Sequence, residues 1–170
     1  NPGGLLRYGI PDFKLEKWVI ERRIKLMEED GIAFKCNSEV GKNVNAEELV
    51  RNNDAVILAG GSTIPRDLPI PGRDLKGIYF AMDFLKQQNK RVKNISFNAE
   101  DILATGKDVV VIGGGDTGSD CVGTSNRQQA KSIKQFEVMF QPPAQRTQHM
   151  PWPTYPMLLK VTSSHEEGVE

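Results

Sequence analysis

The chain has 170 residues and 38% hydrophobic content, enough for one ordinary domain or for two incomplete ones. Basic and acidic residues both number 22, so the net charge is zero and no overall positive field attracts nucleic acid or an anionic membrane. No apolar run approaches the roughly 20 residues that span a bilayer. The two cysteines, Cys36 and Cys121, form no CxxC pair. We expect a globular, cytoplasmic protein with neither nucleic acid nor membrane as a partner.

The first third of the chain alternates helix and strand patterns. Residues 14–30 have the apolar spacing of an amphipathic helix, and Gly31 follows as its stop signal. Residues 32–36 alternate like a short strand. Asn45 is placed to cap a second helix that ends near residue 52. Residues 55–59 are continuously apolar, as in a strand buried on both faces of a parallel sheet. This order predicts the α/β class.

The rest of the chain divides at a segment rich in proline. Residues 62–76 contain three prolines, which forbid a long helix and indicate a connection. A helix is expected over 80–90 and a less regular stretch over 92–106. The remaining elements are a strand at 109–112, a helix at 117–128, a strand at 133–140, and then an irregular loop with five prolines.

A glycine motif joins the strand at 109–112 to the helix that follows it. Gly113, Gly115 and Gly118 match GxGxxG, which alone is a weak signal because glycines are common in turns. Here the preceding strand, the following helix and Glu137, about 20 residues further on, complete the pattern of a dinucleotide-binding turn. The sequence therefore predicts an NAD(P)H site. The competing interpretation is a strand-to-helix turn that binds nothing.

Each glycine of the motif has a physical role in that prediction. Gly113 permits the tight turn, Gly115 lets the backbone approach the pyrophosphate, and Gly118 allows the helix to pack closely on the strand. The N–H groups of the first helical turn then face the phosphates. The expected cofactor-binding residues of this turn are Gly113, Gly114, Gly115, Asp116, Thr117 and Gly118. A carboxylate beside a pyrophosphate is repelled, so we expect Asp116 to cap the helix and point away.

Glu137 bears on which dinucleotide is used. A carboxylate at the end of the second strand accepts hydrogen bonds from both ribose hydroxyls and repels a 2′-phosphate, which favours NADH. Lys134 or Arg146 could instead neutralise a phosphate, which would favour NADPH. A third interpretation of Glu137 is a solvated strand residue without a ligand.

Several stretches, taken in order, resemble the small (beta) subunit of glutamate synthase along essentially the whole chain. They are Gly3 to Pro11, Pro65 to Gly72, Gly113 to Cys121, Pro151-Trp152-Pro153 and His165-Glu166-Glu167. The resemblance implies a Rossmann-like fold similar to flavin disulfide reductases. It also implies an oxidoreductase that passes hydride from NAD(P)H to FAD. Electrons then travel through iron–sulfur clusters to the large subunit, which makes glutamate.

The same resemblance adds two candidate flavin contacts. Gly4 and Leu5 match the stretch that borders the flavin ring, and Gly60 and Gly61 match the turn that closes the first FAD segment. Gly3-Gly4 and Gly60-Gly61 would also be unremarkable as plain turns. Because flavin and nicotinamide supply the chemistry, we name no catalytic residue. His149 and His165 have no partners at ligand spacing, and we expect surface roles for both.

Parts of the family pattern are missing from this sequence. There are no N-terminal cysteines for iron–sulfur clusters, no first GxGxxG for FAD and no C-terminal FAD motif, and the first residue is not methionine. We therefore expect an incomplete, central fragment. It would comprise the end of the first FAD segment (1–76), a connector (77–106) and the first half of the NAD(P)-binding domain (107–170). Such a fragment would bind FAD poorly and be inactive alone.

Two alternatives to this function stay open. One is another flavin oxidoreductase, similar to the electron-entry half of dihydropyrimidine dehydrogenase, although the Pro151-Trp152-Pro153 loop argues against it. The other is a module without catalytic activity that binds a dinucleotide or assists assembly. Flavin content distinguishes the enzyme from the module.

Overall fold

The computed structural model describes residues 1–62 and 64–168, and in this part the chain contains helices and one small sheet. The elements in chain order are α1 (Gly4–Tyr8), α2 (Lys17–Glu29), α3 (Ala46–Arg51), α4 (Ala81–Val92), β1 (Asp108–Ile112), α5 (Asp116–Arg127), β2 (Ser132–Phe136) and α6 (Ser163–Glu166). The predicted α/β class is confirmed at this level, since the chain combines helices with a small parallel sheet.

The sheet consists of β1 and β2, which run parallel and are connected by α5. Val109 pairs with Ile133, and Ile112 pairs with Phe136. Because side chains alternate across a strand, β1 buries Val111 toward the helices, whereas Ile112 on the opposite face is 70% exposed. The unit is a β–α–β crossover, the arrangement that brings the C-terminal end of a strand and the start of a helix together.

The hydrophobic core lies between α4, α5 and one face of the sheet. Its buried members are Phe84, Leu85, Ala104, Val111, Cys121, Val122 and Ile133. Val122 on α5 is fully buried, and Leu85 on α4 is 2% exposed. Burial of such side chains contributes on the order of 1.5–3 kcal/mol each. This packing fixes α5 against β1 and so determines the shape of the turn between them.

Helix boundaries in the first third follow the predicted signals. α2 lies within the predicted range, and Gly31 after it has a φ of 91°, the left-handed conformation of a helix stop. The Asn45 side chain caps α3 by accepting hydrogen bonds from the backbone N–H groups of Glu47 and Glu48, at 2.8 and 3.4 Å. Asn52 is the C-cap, as expected.

Two predicted strands are absent and one is shorter. Residues 32–36 and 55–59 form no strand, and Ile57 and Leu58 are 88 and 94% exposed. A strand needs a partner for its backbone N–H and C=O groups, and in the described residues neither segment pairs with the β1–β2 sheet. β2 ends at Phe136 rather than at residue 140.

None of the helices within residues 1–62 and 64–168 has the length and apolar character that a membrane crossing requires.

Candidate functional site

The turn from β1 to α5 has the backbone shape that its glycines predict. Gly113 has a φ of 120°, which residues with a Cβ rarely adopt. Gly115 is the N-cap in extended conformation, and Asp116 is the first residue of α5. The expectation that Asp116 caps the helix is therefore wrong. Gly115 supplies the cap position without a side chain, and the Asp116 carboxylate instead lies in the first turn, where the helix dipole favours negative charge.

Gly118 lies where helix and turn come closest. A Cβ at this position would be 2.2 Å from the carbonyl oxygen of Gly113 and 2.7 Å from Nε2 of Gln135. No side chain fits into that space unless backbone moves. The close packing of the helix on the end of the strand, predicted from Gly118, is thus present in the structure.

Gly115 differs from Gly118 because it has open space in front of it. A Cβ at Gly115 would meet no atom within 4 Å, and the φ of this residue is −78°. The fold itself therefore does not require glycine here. Gly114, Gly115, Asp116 and Thr117 are all exposed. An incoming ligand can reach the backbone at Gly115, provided that no side chain lies in the way.

Three successive residues at the end of β2 hold the turn. The amide of Gln135 donates to the Gly113 carbonyl oxygen at 2.7 Å, and the Phe136 carbonyl oxygen accepts the Gly113 N–H at 2.8 Å. The carboxylate of Glu137 accepts the Gly114 N–H at 2.7 Å. The turn is thus attached to both strands, which preorganises it before any ligand arrives.

Glu137 lies beside the glycine turn, as its spacing predicts. Backbone N–H groups donate to its carboxylate, from Met139 at 3.0 Å and from Gly114, and Val138 adds a further one. These hydrogen bonds favour the charged form and hold the pKa of Glu137 below its ordinary value of 4.5. The site therefore places a fixed negative charge at the end of β2.

The start of α5 has the opposite electrostatic character. The first N–H groups of an α-helix have no partners within the helix, and the helix dipole adds partial positive charge there. In α5 these groups belong to Asp116, Thr117 and Gly118. The site combines an anion-attracting helix start with a carboxylate close by, which suits a ligand with both a phosphate and sugar hydroxyls.

The candidate flavin contacts lie in other parts of the chain. Gly4 and Leu5 form the first turn of α1, with Leu5 59% exposed. Gly60 and Gly61 belong to no helix or strand, and Gly61 has a φ of 66°. In the described part of the chain no hydrogen bond joins either pair to the other or to the β1–α5 turn.

Gln135 and His165 belong to the surroundings of the turn but were not predicted as site residues. His165 is half-buried, and its Nε2 lies 2.8 Å from Oε1 of Gln135, so the expected surface role is wrong. The one available signal is Thr162, three residues before His165, which resembles the spacing of a capping box. His149 is exposed, as expected.

Cys121 on α5 packs in the core as a small apolar residue. It is 6% exposed, and burial raises the pKa of its thiol to about 12. Within residues 1–62 and 64–168, no group of three His, Cys, Asp or Glu side chains is arranged to hold a metal ion.

Comparison with known proteins identifies relatives along nearly the whole chain. The chain is 50% identical to the "Glutamate synthase [NADPH] small chain" of Mycobacterium tuberculosis, covering 99% of this chain and 35% of that protein. It is 48% identical to the small chain of Bacillus subtilis, covering 98 and 34%. It is 54% identical to the "Glutamate synthase [NADH]" of Schizosaccharomyces pombe, covering 98% of this chain but 8% of that protein. No family model matches.

These relatives define an oxidoreductase family. More particularly, nearly the whole chain is homologous to one segment of the glutamate synthase small chain, which confirms the resemblance seen in the sequence. The chain spans about a third of the length of the bacterial small chains that it matches.

Proposed function

We propose that this chain provides the pyrophosphate-binding turn for NAD(P)H in the small subunit of a glutamate synthase. The observation that carries the proposal is the turn itself, in which Gly113 is left-handed, Gly118 contacts the Gly113 carbonyl and Gly115 faces open space. The identity of about 50% to proteins named glutamate synthase supports this parent enzyme over another flavin oxidoreductase. The unit would be the first half of a Rossmann-like domain over 107–170, preceded by a connector (77–106) and the end of an FAD segment (1–76).

The proposed parent enzyme, a glutamate synthase, implies the reaction. NAD(P)H would give hydride to FAD in the intact subunit, and electrons would continue through iron–sulfur clusters to the glutamate-forming large subunit. The role that we propose for this chain is to hold the dinucleotide. The N–H groups at the start of α5 would bind the pyrophosphate, and Glu137 would accept hydrogen bonds from the adenosine ribose.

The flavin is assigned to the intact protein and not to this chain alone. Ile57 and Leu58 near Gly60 are 88 and 94% exposed, and a Cβ at Gly4 or Gly60 would meet no atom within 4 Å. We expect the chain to be inactive without the rest of the subunit.

Glu137 favours NADH over NADPH in this proposal. Its carboxylate is fixed in the charged form by backbone hydrogen bonds and would repel a 2′-phosphate. Arg146, which could neutralise such a phosphate, instead donates to the carbonyl oxygens of Met150 and Thr154 at 2.9 and 3.0 Å. Lys134 pairs with Val110 in the sheet, two residues before the strand ends.

A second candidate function is a dinucleotide-binding module that assists assembly and does no chemistry. The exposed apolar side chains of Ile57 and Leu58 favour it, because such side chains mark surfaces that dock to another part of a protein.

Calorimetric titration of the purified chain with NADH tests the dinucleotide assignment. Absorbance at visible wavelengths reports whether flavin is bound. Binding of NADH without flavin supports the dinucleotide proposal and assigns the isolated chain to the module function. Binding of both supports an electron-transfer role for the chain itself. Absence of NADH binding at millimolar concentrations would contradict the dinucleotide proposal.

A further inference from the structure

Helix α6 lies against α5 and is held there by several contacts. Ser164 is fully buried, and its Oγ would lie 2.4 Å from a Cβ at Gly123, so the helices touch at a position where only glycine fits. Beyond it, Nη2 of Arg127 donates to Oε1 of Glu167 at 2.9 Å. The guanidinium carbon of Arg127 also lies 3.6 Å from the centroid of the Phe13 ring. The contacts of Gly123 with Ser164 and of Arg127 with Glu167 fix the position of α6 relative to the second half of α5.

The contacts of the His165 ring on α6 select one tautomer of the neutral imidazole. The backbone N–H of Thr162 donates to its Nδ1 at 3.1 Å, so Nδ1 is an acceptor and carries no proton. In the neutral ring the proton is then on Nε2, which donates to Oε1 of Gln135 at 2.8 Å.

Gln135 carries this contact on to the glycine turn. Because its Oε1 accepts from His165, its Nε2 is oriented toward the carbonyl oxygen of Gly113, to which it donates at 2.7 Å. The same Nε2 would be 2.7 Å from a Cβ at Gly118. The amide therefore contacts the turn and the first helical turn of α5 together. A reversed amide would place an oxygen against the Gly113 carbonyl oxygen, which is repulsive.

The chain of hydrogen bonds extends in the other direction as well. Nζ of Lys14 donates to Oγ of Ser119 at 3.1 Å, and that oxygen is 2.6 Å from Oγ1 of Thr162. Oγ1 of Thr162 is 2.8 Å from Nδ1 of His165. One assignment of donors and acceptors runs along the whole path, from a lysine ammonium to the first glycine of the turn. In it the hydroxyl and the backbone N–H of Thr162 share the single lone pair of Nδ1. Hydrogen bonds aligned in this way strengthen one another.

We propose that His165 is a positioning residue for the dinucleotide site, acting through Gln135 on the Gly113 carbonyl. The inference rests on the proposed NAD(P)H function and deepens it. By orienting one amide, a residue 47 positions beyond Gly118 keeps the glycine turn in its binding shape.

Conservative substitutions of His165 separate positioning from a merely structural role. In His165→Gln the side-chain amide nitrogen reaches the place of Nε2 and donates to Gln135, but the acceptor for Thr162 is lost. In His165→Asn the carboxamide oxygen takes the place of Nδ1 and keeps the contact with Thr162, but the reach to Gln135 is lost. If positioning matters, Gln retains NADH affinity and Asn loses it. If only the cap of α6 matters, the order is reversed and the proposal is overturned.

Two readouts are measured on the full chain. The first is the Kd for NADH, which we expect to rise about fivefold in His165→Ala and His165→Asn, as loss of one hydrogen bond implies. The second is hydrogen exchange of the backbone amides over 113–118 without ligand, which we expect to become faster in the same two variants. His149→Ala is the matched control and changes neither, because His149 is exposed.

The double variant Gln135→Ala with His165→Ala tests the path. Since His165 acts through Gln135, the double variant should bind NADH no more weakly than Gln135→Ala alone. Additive losses of NADH affinity in the double variant would contradict an action of His165 through Gln135. If the wild-type chain fails to bind NADH, the proposed function is contradicted. The hydrogen-exchange measurement still tests whether His165 holds the glycine turn in shape. Unchanged exchange at 113–118 in His165→Ala would overturn the positioning role.

Discussion

The space in front of Gly118 is occupied by the carbonyl oxygen of Gly113, which would lie 2.2 Å from a Cβ at Gly118. The first and last glycines of the motif are thus in direct contact across the turn. This contact brings the start of α5 against the end of β1, and it leaves Gly115 between them with open space on its outer side. The fold therefore needs glycine at position 118, whereas the backbone at Gly115 is available to a ligand.

Gly118→Ala should destabilise the fold. The added methyl group has no space because its nearest neighbour is a backbone oxygen, so the helix must shift away from the strand. We expect a loss of about 2–3 kcal/mol in the free energy of unfolding, typical of overpacking. Urea unfolding followed by circular dichroism measures it.

Gly115→Ala is the matched control for that measurement. Its methyl group meets no atom within 4 Å, so the cost should stay below about 1 kcal/mol, from the weaker N-cap alone. Equal losses in the two variants would show that the close contact at Gly118 is not what limits stability.

Acid should loosen the turn through Glu137. Its pKa is lowered in the folded chain by the N–H groups of Met139, Gly114 and Val138. The stabilising contribution is therefore present above the ordinary value of 4.5 and is lost as the pH falls through the lower folded pKa. Carbon-13 NMR of the Glu137 carboxyl should give a midpoint below 4.5. The protection factor of the Gly114 amide, which is the intrinsic exchange rate at each pH divided by the measured rate, should fall as the group is protonated. In Glu137→Gln this pH-dependent loss of protection at the Gly114 amide should be absent. A Glu137 midpoint at or above 4.5 would refute the hydrogen bonding described.

Glu137→Gln should also change the choice of cofactor. Removing the charge removes the repulsion of a 2′-phosphate, so affinity for NADPH should rise relative to that for NADH. Parallel titrations with the two dinucleotides give the ratio of the two Kd values for each variant. If the wild-type chain binds NADPH more tightly, the role assigned to Glu137 is wrong.

The two thiols should differ sharply in reactivity. Cys36 is exposed, whereas Cys121 is buried with its pKa raised to about 12, so it forms almost no thiolate at neutral pH. A thiol reagent such as dithionitrobenzoate should modify one cysteine in the native chain and both in urea. Peptide mapping should assign the first to Cys36, and rapid modification of Cys121 without denaturant would contradict the core packing.

The elements near the glycine motif were predictable from sequence because their signals are local. A continuous apolar run before three glycines fixes β1 within a residue, and the spacing to Glu137 brings that side chain to the turn. The strand expected at 55–59 failed for the opposite reason. Its apolar pattern is correct for a buried strand, but a strand forms only with a partner, and composition does not reveal whether one is present.

The role of His165 could not be predicted from the sequence because it depends on a tertiary contact. Its partner Gln135 lies 30 residues earlier in the chain and is an ordinary polar residue in a strand. The position of Asp116 relative to the helix start was also beyond what the local sequence determines. A carboxylate near a helix start predicts a cap, but the choice between N-cap and first helical residue depends on one backbone angle at Gly115.

Binding of NADH to Gly115→Val tests the central claim most directly. Valine is compatible with the φ of −78° at this position and would meet no atom of the protein within 4 Å of its Cβ, so the fold should persist. Its side chain would nevertheless occupy the space through which a pyrophosphate reaches the backbone. Gly60→Val, at another glycine with open surroundings, is the control. We predict that Gly115→Val abolishes NADH binding by calorimetry while Gly60→Val leaves it unchanged; equal NADH affinity in Gly115→Val and the wild-type chain would contradict the assignment of this turn.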